Sequence, residues 1–420
     1  MNLLILADDL TGAADCAIGF ASTGHNTFVV VQPDVAQNVP SDGLLAVDTD
    51  TRRLSPNEAA QRTASVYQAM SSSGHRLYKK IDSTLRGNWA VEVARLVSVA
   101  GVAIVAPAHP AMGRTVKDGC VFLRGQPLEQ SDTWQLEHGH LSANIAVQLE
   151  DAGLKVAMLQ VDAKRDNPGT LALRIGEIVG QDLDALVLGA ESTEDLRFIA
   201  LATLGVDRPT FWVGSGGLAR EISELVPGRS TSGFEIPPRQ TGPILILAGS
   251  LSRTTGRQID RLMGQPGIAT FVVPPHVLRG GAMLEAWTTL QDRIEEVLGG
   301  DVDVLLKIGL DDDFDPCEGA ALSTALARLT ARYFPRIGGL IATGGETARA
   351  MLVEAGVHRL RILDELEPGV VVGVPVGAGV PAPFVVTKAG AFGNDDTLLE
   401  AWAALRKANS EKVKVSRQSV

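Results

Sequence analysis

The sequence contains few cysteines and no long apolar run, and these two absences exclude several classes of protein. Its three cysteines, Cys16, Cys120 and Cys317, lie far apart and form no C-x-x-C pair, so neither a disulfide framework nor a zinc site can be recognised. No uninterrupted apolar run reaches the ~18 residues that a membrane helix needs. The N-terminal stretch MNLLILADDL has no basic segment and is not a signal peptide. We therefore expect a cytoplasmic protein.

Aromatic residues are scarce and positive charge is in deficit. Aromatic side chains make up 5% of the chain, so the core must consist of aliphatic residues, as in α/β proteins whose strands are covered on both faces. The net charge of −11 disfavours binding to nucleic acid or to anionic membranes. We expect small molecules as partners, and an anionic ligand would need a few local cations or backbone N–H groups. The oligomeric state stays open, a homodimer included.

Short aliphatic runs alternate with longer amphipathic stretches along the whole chain. Runs such as Asn2–Ala7, Val102–Ala106 and Ile244–Ala248 have the composition of buried strands, and stretches such as Pro56–Ser72 have the period of helices. This alternation is typical of parallel sheets with helices on both faces. We therefore predict an α/β protein of two domains, each a mainly parallel sheet flanked by helices, with the active site in the cleft between them.

A stretch rich in proline and glycine, without periodicity, indicates a domain boundary. It covers residues 231–243, although a long surface loop within one domain would have the same composition. We predict a first domain over residues 1–232, a linker over 233–243 and a second domain over 244–406. The last residues, 407–420, lose the apolar period and are predicted to lack regular structure.

Charged residues follow predicted strands in the first half of the chain, where ligands of an open parallel sheet bind. Asp8 and Asp9 follow the first strand, and two neighbouring carboxylates can orient sugar hydroxyls, accept a proton or help to hold Mg²⁺. A helix cap would need only one of them. Arg52 follows the third predicted strand and offers a planar fork for a carboxylate. The charged side chains of the loop Asp48–Arg53 could equally form ion pairs with one another.

Two further segments of the first half are dense in polar groups. The segment Lys79–Arg86 crowds two lysines, an arginine, an aspartate and two hydroxyls in front of a predicted helix, whose N-terminus attracts anions. Lysines there often only cover a solvated face, but the density of polar groups exceeds what capping requires. The loop before Thr115 places His109 and Arg114 after another strand, where a purely structural role for the histidine is equally compatible with the sequence.

The second half is instead rich in glycine turns that follow strands. They are Gly249–Ser252, Thr343–Ala348 and Thr387–Gly393. Glycine lets successive N–H groups approach phosphate oxygens, and the three turns together favour a polyphosphate site, although any one alone could be a tight connection. None of them has the G-x-x-x-x-G-K-[ST] or G-x-G-x-x-G spacing. A further glycine segment, Gly214–Ala219, is interpreted as a tight turn.

Taken together, these segments resemble the four-carbon acid sugar kinase family. The family carries ADD-[FL]-TG, DT-x-[ST]-R, K-x-DSTLRGN, P-A-x-P-x-x-GR, GSGGLA, GS-x-S, GGETA and TK-x-G-x-FG in this order. Here the motifs stand at Ala7–Gly12, Asp48–Arg52, Lys80–Asn88, Pro107–Arg114, Gly214–Ala219, Gly249–Ser252, Gly344–Ala348 and Thr387–Gly393. The resemblance implies ATP-dependent phosphorylation of the 4-hydroxyl of an acid such as threonate, erythronate or 3-oxo-tetronate.

The resemblance also implies that the first domain binds the acid sugar and the second binds the nucleotide, and it implies which residues bind each ligand. It assigns the acid to Asp9, Arg52, Lys80, Ile81, Asp82 and Ser83, and the positions after strands add Asp8 and Arg114. It assigns ATP to Ser252, Gly344, Gly345, Glu346, Thr347 and Gly390, and the third glycine turn adds Gly393. Family members commonly carry D-P-x-x-P-V after the GR loop, whereas residues 130–149 of this chain lack that motif. The resemblance therefore does not identify the acid.

In the resulting hypothesis, the acid's carboxylate binds to Arg52, Lys80 and Ser83. Asp9 or Asp82 is the candidate catalytic base that accepts the proton of the attacking hydroxyl. ATP and Mg²⁺ are the expected cofactors, and the sequence does not name the Mg²⁺ ligands. Two alternatives remain: a non-catalytic sugar-acid sensor, because two α/β lobes also describe solute-binding proteins, and an NAD-dependent dehydrogenase, against which the absent fingerprint argues.

Overall fold

The computed structural model describes most of the chain, in twelve ranges. These are residues 2–34, 43–71, 75–131, 134–135, 142–226, 228, 240–250, 252–312, 315, 318–377, 381–390 and 392–417. The chain forms two compact units, one of residues 1–28 and 37–230 and the other of residues 29–36 and 231–420. None of the helices within the described ranges combines the length and hydropathy that a membrane crossing requires.

The first unit is built on a parallel sheet. The strands from the N-terminus to the end of this unit are β1 (Asn2–Ala7), β2 (Thr27–Val30), β3 (Leu44–Asp48), β4 (His75–Lys80), β5 (Val102–Ala106), β6 (Arg114–Lys117), β7 (Cys120–Leu123), β8 (Gln126–Pro127), β9 (Val156–Gln160), β10 (Ala185–Gly189) and β11 (Thr210–Gly214). Of these, β2 crosses the sequence boundary between the two units, which lies between residues 28 and 29. The main sheet has the order β3-β1-β4-β11-β5-β10-β9 with parallel neighbours. A small antiparallel sheet has the order β6-β7-β8.

Helices connect these strands, as the right-handed crossovers of a parallel sheet require. They are α1 (Leu10–Ser22), α2 (Pro56–Met70), α3 (Trp89–Ala100), α4 (Ile145–Asp151), α5 (Pro168–Val179), α6 (Thr193–Leu204) and α7 (Gly216–Leu225). Local sequence explains where they begin. At α2, Ser55 and Glu58 form a capping box and Pro56 occupies the first turn, where its missing N–H costs nothing.

The second unit repeats the design with an antiparallel extension. Its strands are β12 (Ile244–Ala248), β13 (Ile268–Val273), β14 (Asp303–Ile308), β15 (Gly339–Thr343), β16 (Arg359–Glu367), β17 (Val370–Pro375) and β18 (Phe384–Lys388). The helices are α8 (Arg253–Leu262), α9 (Pro275–Gly280), α10 (Glu285–Gly299), α11 (Gly319–Thr330), α12 (Gly345–Glu354) and α13 (Thr397–Arg417). The sheet order is β13-β14-β12-β15-β18-β17-β16, parallel as far as β18 and antiparallel beyond it.

The predicted fold class is confirmed, because both units contain mainly parallel sheets flanked by helices. Two details differ from the sequence-based expectation. The helix α13 continues to Arg417, through residues expected to lack regular structure; the three lysines and the arginine of this stretch favour helix. Residues 29–36 group with the second unit, in which the Val31 N–H donates to the His358 carbonyl at 2.9 Å. Residues 233–239 of the predicted linker lie outside the described ranges.

Candidate active site

Three neighbouring strands bring the predicted acid-binding residues to one edge of the first sheet. In the parallel register Ala7, the last residue of β1, is paired with Asp48 of β3 and with Lys80 of β4. The segments that follow these three strands therefore leave the sheet side by side. As a result Asp8, Arg52 and the turn after Lys80 lie together although they are far apart in sequence.

Arg52 holds the two consecutive aspartates. Its Nε and Nη2 atoms donate to the two carboxylate oxygens of Asp8 at 2.8 and 2.9 Å, and Nη1 and Nη2 donate to those of Asp9 at 2.9 and 3.0 Å. Asp9 also caps α1, because it accepts from the Gly12 N–H at 2.9 Å and from the Thr11 hydroxyl at 2.7 Å. Burial raises the pKa of Asp9, but the nearby cations outweigh it and hold the pKa below its ordinary value.

Asp82 organises the turn that follows β4. One of its oxygens accepts from the Thr84 N–H at 2.8 Å and from the Thr84 hydroxyl, and the other accepts from Arg86 Nη2 at 2.6 Å. The turn forces Leu85 into the left-handed region, with φ of 57°. Burial opposes the charged carboxylate, yet Arg86 and Arg52 hold the pKa of Asp82 well below its usual range.

Lys80 is a cation of this site without a hydrogen bond to a described residue. Its side chain is buried, and no described residue accepts from its ammonium group or forms an ion pair with it. A Cβ atom at Gly12 would lie 3.0 Å from Lys80 Nζ and 2.6 Å from Asp9 Oδ1, so glycine is needed beside this ammonium. Burial lowers the pKa of Lys80, but surrounding groups, Asp9 and Asp82 among them, raise it overall.

The remaining predicted acid-site residues differ in how they are placed. Ser83 is half-buried and its hydroxyl has no described partner, so it is available to a ligand. Ile81 is buried and contributes its backbone, whose N–H donates to the Gly214 carbonyl at 2.9 Å. Arg114 donates to the Met112 carbonyl at 2.9 Å. Burial lowers the pKa of Arg114, and the charge of Asp82 partly offsets this effect.

His109 is buried in the loop that precedes Arg114. Burial lowers the pKa of its imidazole to about 4, so the ring is neutral at neutral pH. The loop is fastened to the glycine segment after β11, where Ser215 Oγ donates to the Ala108 carbonyl at 2.8 Å. This contact gives a structural purpose to the segment Gly214–Ala219, which the sequence indicated only as a tight turn.

One charged pair near the acid site was not predicted from the sequence. Asp15, on α1, lies 3.6 Å from Arg220 Nη2, and its charge helps to raise the pKa of Lys80. A Cβ at Gly216 would lie 2.1 Å from Asp15 Oδ2, which explains a glycine at that position. Asp15 lies three residues after the motif Ala7–Gly12, and a single acidic residue on a helix gives no signal of a binding site by itself.

The three predicted glycine turns converge in the second unit, because β12, β15 and β18 are neighbours in its sheet. Ser252 Oγ donates to the Gly390 carbonyl at 2.8 Å, and the Gly344 N–H donates to the Lys388 carbonyl at 2.9 Å. Thr255, which the sequence analysis did not select, adds a hydrogen bond from its hydroxyl to the Gly390 carbonyl at 2.7 Å. The turns therefore form one hydrogen-bonded cluster.

This cluster presents backbone N–H groups. Gly344 has φ of 98° and no side chain that could cap α12, so the N–H groups of Gly345 and Thr347 have no hydrogen-bond acceptor among the described residues. The N–H groups of Gly390 and Gly393 likewise lack a described acceptor. Donors at a helix N-terminus and in glycine turns suit phosphate oxygens. Glu346 lies in the first turn of α12 and is the carboxylate of this segment.

Comparisons with known proteins also distinguish the first part of the chain, which carries the charged cluster, from the second part, which carries the glycine turns. Residues 3–222 match the sugar-binding N-terminal domain model and residues 245–398 match the nucleotide-binding C-terminal domain model. A D-threonate kinase of Cupriavidus necator is 46% identical over 98% of this chain and 99% of its own length. The chain belongs to the four-carbon acid sugar kinase family. A second member, a D-threonate kinase of Bordetella bronchiseptica, is 30% identical over 97% of this chain and 98% of its own.

A comparison with solved structures supports the fold of this four-carbon acid sugar kinase. A Haemophilus influenzae protein superposes with a TM-score of 0.73 at 20% identity, covering 96% of this chain and 100% of its own. Because the named relatives are kinases, the kinase interpretation is supported over the non-catalytic sensor, and ATP is the implied phosphate donor. The segment 130–149, in which the sequence departs from the family pattern, includes residues 132–133 and 136–141, which lie outside the described ranges.

Proposed function

We propose that this protein transfers the terminal phosphoryl group of ATP to the 4-hydroxyl of D-threonate. The observation that carries the proposal is the cluster of Arg52, Lys80 and Asp82 at the end of the first sheet, which offers both a cation and a carboxylate to a small hydroxy acid. The choice of D-threonate is supported by the 46% identical Cupriavidus necator enzyme of that name.

The acid's carboxylate binds chiefly to Lys80 in this proposal. A guanidinium has five N–H donors, and Arg52 already directs four hydrogen bonds to Asp8 and Asp9. One donor of Arg52 is left for the ligand, whereas the ammonium of Lys80 has no described acceptor at all. The hydroxyl of Ser83 completes the set. A charge-assisted pair of this kind is stronger than a neutral hydrogen bond.

Asp82 is the better candidate for the catalytic base. A carboxylate offers about four acceptor sites. Asp9 uses four, for Gly12, Thr11 and two bonds from Arg52. Asp82 accepts three hydrogen bonds, two of them from Thr84, which leaves one acceptor site on the oxygen that faces Arg86. A low pKa does not disqualify Asp82, because positioning of the nucleophile supplies most of the catalysis in phosphoryl transfer.

The glycine turns of the second unit bind the phosphates of ATP. The available N–H groups of Gly345, Thr347, Gly390 and Gly393 donate to phosphate oxygens, and the dipole of α12 adds attraction. The described residues contain no cluster of three metal-ligating side chains, which fits an Mg²⁺ ion held mainly by phosphates and water. Glu346 is the side chain that would hold it, and the ion would neutralise phosphate charge.

A coupled assay of ADP release over a panel of acids with three to five carbons tests the proposal. We expect the highest kcat/KM with D-threonate, and lower values with D-erythronate, 3-oxo-tetronate and glycerate. A preference for another four-carbon acid would refute the choice of substrate and leave the kinase activity intact. If nucleotide binds but no acid on the panel stimulates ADP release, the kinase proposal itself is refuted.

A further inference from the structure

A buried lysine lies directly behind the glycine turn that ends the nucleotide cluster. Lys388 is the last residue of β18 and its side chain is fully buried. Its Nζ atom donates to the carbonyls of Ala389, Gly390 and Phe392 at 3.0, 3.1 and 3.1 Å. An ammonium group has three protons, so these three bonds use its whole donor capacity. Lys388 therefore collects three carbonyls of one short loop around a single positive charge.

The direction of these carbonyls fixes the direction of the N–H groups. In a planar trans peptide the C=O of one residue and the N–H of the next point in opposite directions. When the carbonyls of Ala389 and Phe392 turn toward Lys388 Nζ, the N–H groups of Gly390 and Gly393 turn away from it. These two are among the N–H groups without a described acceptor. These two N–H groups therefore face away from the ammonium group and can donate to an anion.

The charge of Lys388 is not neutralised by a neighbouring side chain. No described carboxylate lies within ion-pair distance of its ammonium group, and Glu367 of β16 is the charged group whose field reaches it. A buried cation without a partner is costly. The three carbonyls solvate it, and a bound polyanion beyond them would supply the opposite charge.

We propose that Lys388 is a positioning residue that orients the peptide groups of Gly390 and Gly393 for phosphate binding and stabilises the bound nucleotide through its charge. The proposal deepens the nucleotide site and rests on the kinase function proposed above. It adds a residue to those predicted for ATP, and this residue acts on the phosphates through the backbone rather than by contact.

The same geometry predicts a pH dependence of nucleotide binding. Burial lowers the pKa of Lys388 to about 8, and Glu367 offsets part of this effect. A bound polyphosphate favours the ammonium form, so binding takes up a proton wherever the free protein holds the neutral amine. The affinity is therefore complete below the pKa of the free protein and falls as the pH rises above it, by up to about tenfold per pH unit.

The first test compares the full-length wild type with Lys388→Met by calorimetry, using a non-hydrolysable ATP analogue with Mg²⁺ and, separately, D-threonate. We expect nucleotide binding about tenfold weaker or more, with unchanged acid binding. Lys155→Met, which removes an exposed lysine charge from the first unit, is the matched control and should bind both ligands like the wild type. A folded Lys388→Met protein that binds the nucleotide like the wild type overturns the inference.

The second test needs no variant and covers the case in which Lys388→Met does not fold. Nucleotide affinity of the wild type is measured from about pH 7 to about pH 9.5, and proton uptake is obtained from calorimetry in two buffers of different ionisation enthalpy. We expect falling affinity and proton uptake above about pH 8. Affinity that stays constant over this range overturns the inference alone. A wild type that binds no nucleotide at any pH overturns the kinase proposal and the inference with it.

Discussion

The two candidate ligand sites of this kinase are built from different parts of the chain. The acid site of the first unit consists of charged side chains, among them Arg52, Lys80 and Asp82, which are buried or half-buried. The charge of Asp82 raises the pKa of both cations, and both cations lower the pKa of Asp82. The nucleotide site of the second unit consists of backbone N–H groups in glycine turns, with hydroxyls and Lys388 holding the turns in place. One site depends on charge and the other on backbone conformation.

This difference predicts opposite sensitivities to mutation. Removal of one charge from the acid site leaves a buried partner unpaired, which costs more than the lost contact itself. The nucleotide site has little side chain to remove, but an added Cβ atom would meet neighbouring atoms or strain the backbone. Truncation of side chains should therefore damage the first site, and enlargement of glycine should damage the second.

Asp82→Asn should have the largest effect on turnover. The change keeps the size of the side chain and its ability to accept from Thr84, but removes the base that we assign to the attacking hydroxyl. We expect kcat to fall by about 10²–10⁴-fold with little change in nucleotide affinity, measured by ADP release and by calorimetry. Asp182→Asn, at an exposed aspartate of the same unit, is the control. Equal activity of Asp82→Asn and the wild type would assign the base elsewhere.

Arg52→Ala should destabilise the first unit as well as weaken acid binding. The change leaves Asp8 and Asp9 without the cation that donates four hydrogen bonds to their carboxylates, and we expect a loss of about 3 kcal/mol in the free energy of unfolding. The pKa of Asp9 is lowered in the folded state, so its contribution to stability is complete above the ordinary value of 3.8 and is lost as the pH falls below it.

Denaturant unfolding at neutral and acidic pH checks this prediction. The difference between wild type and Arg52→Ala should shrink as the pH falls below about 4, because protonated aspartates no longer need the arginine. Nucleotide affinity should remain nearly intact at neutral pH. If acid and nucleotide affinities fall equally in a folded variant, the division of labour between the two sites is wrong.

The sequence predicted the buried strands better than it predicted the long-range contacts between elements. Aliphatic strands such as β1, β5 and β12 were predicted to the residue, because a buried parallel strand has a continuous apolar run. The strand β4 was missed, because its sequence HRLYKK is mainly polar. Its Lys79 is buried only through an ion pair of 2.7 Å with Glu92 of α3, a long-range pair that no local pattern reveals.

Inside the acid site, too, local sequence does not reveal which side chains contact each other. The sequence named Arg52 and Lys80 as equal cations for a carboxylate, but the structure commits Arg52 to two aspartates and leaves Lys80 without a described acceptor. Likewise, Lys388 was part of a recognised motif, yet its role could not be predicted because it depends on which way three carbonyls point. Composition and order identify such groups, and the tertiary fold decides which of their donors are free.

Lys80→Met should distinguish the role of Lys80 in acid binding from that of Arg52. The variant keeps an unbranched side chain of similar length but removes the ammonium charge that, in our proposal, binds the acid's carboxylate. We expect D-threonate to bind about 10–100-fold more weakly in calorimetry, as for loss of a charged hydrogen bond, with nucleotide affinity unchanged. Unchanged acid affinity would transfer the main role in carboxylate binding back to Arg52.

Gly390→Ala should have the smallest effect and tests the backbone site directly. A Cβ atom at this position would lie 2.4 Å from Ser250 Oγ and 3.1 Å from Ser250 Cβ. Rotation of the Ser250 hydroxyl relieves only the first contact, so we expect the second to displace the loop slightly and misalign its N–H groups. We expect nucleotide affinity to fall about tenfold, with acid affinity and kcat at saturating ATP much less affected. The measurement is calorimetry with the ATP analogue.

Gly256→Ala is the matched control for this glycine. Gly256 is an exposed position of α8, where an added Cβ meets no atom within 4 Å, so alanine should be neutral for binding and slightly stabilising for the helix. If Gly390→Ala binds the nucleotide as well as Gly256→Ala does, close backbone approach at Gly390 is not required. The second unit would then have to hold ATP by side-chain contacts, as the first unit holds its acid, and the contrast between the two sites would be lost.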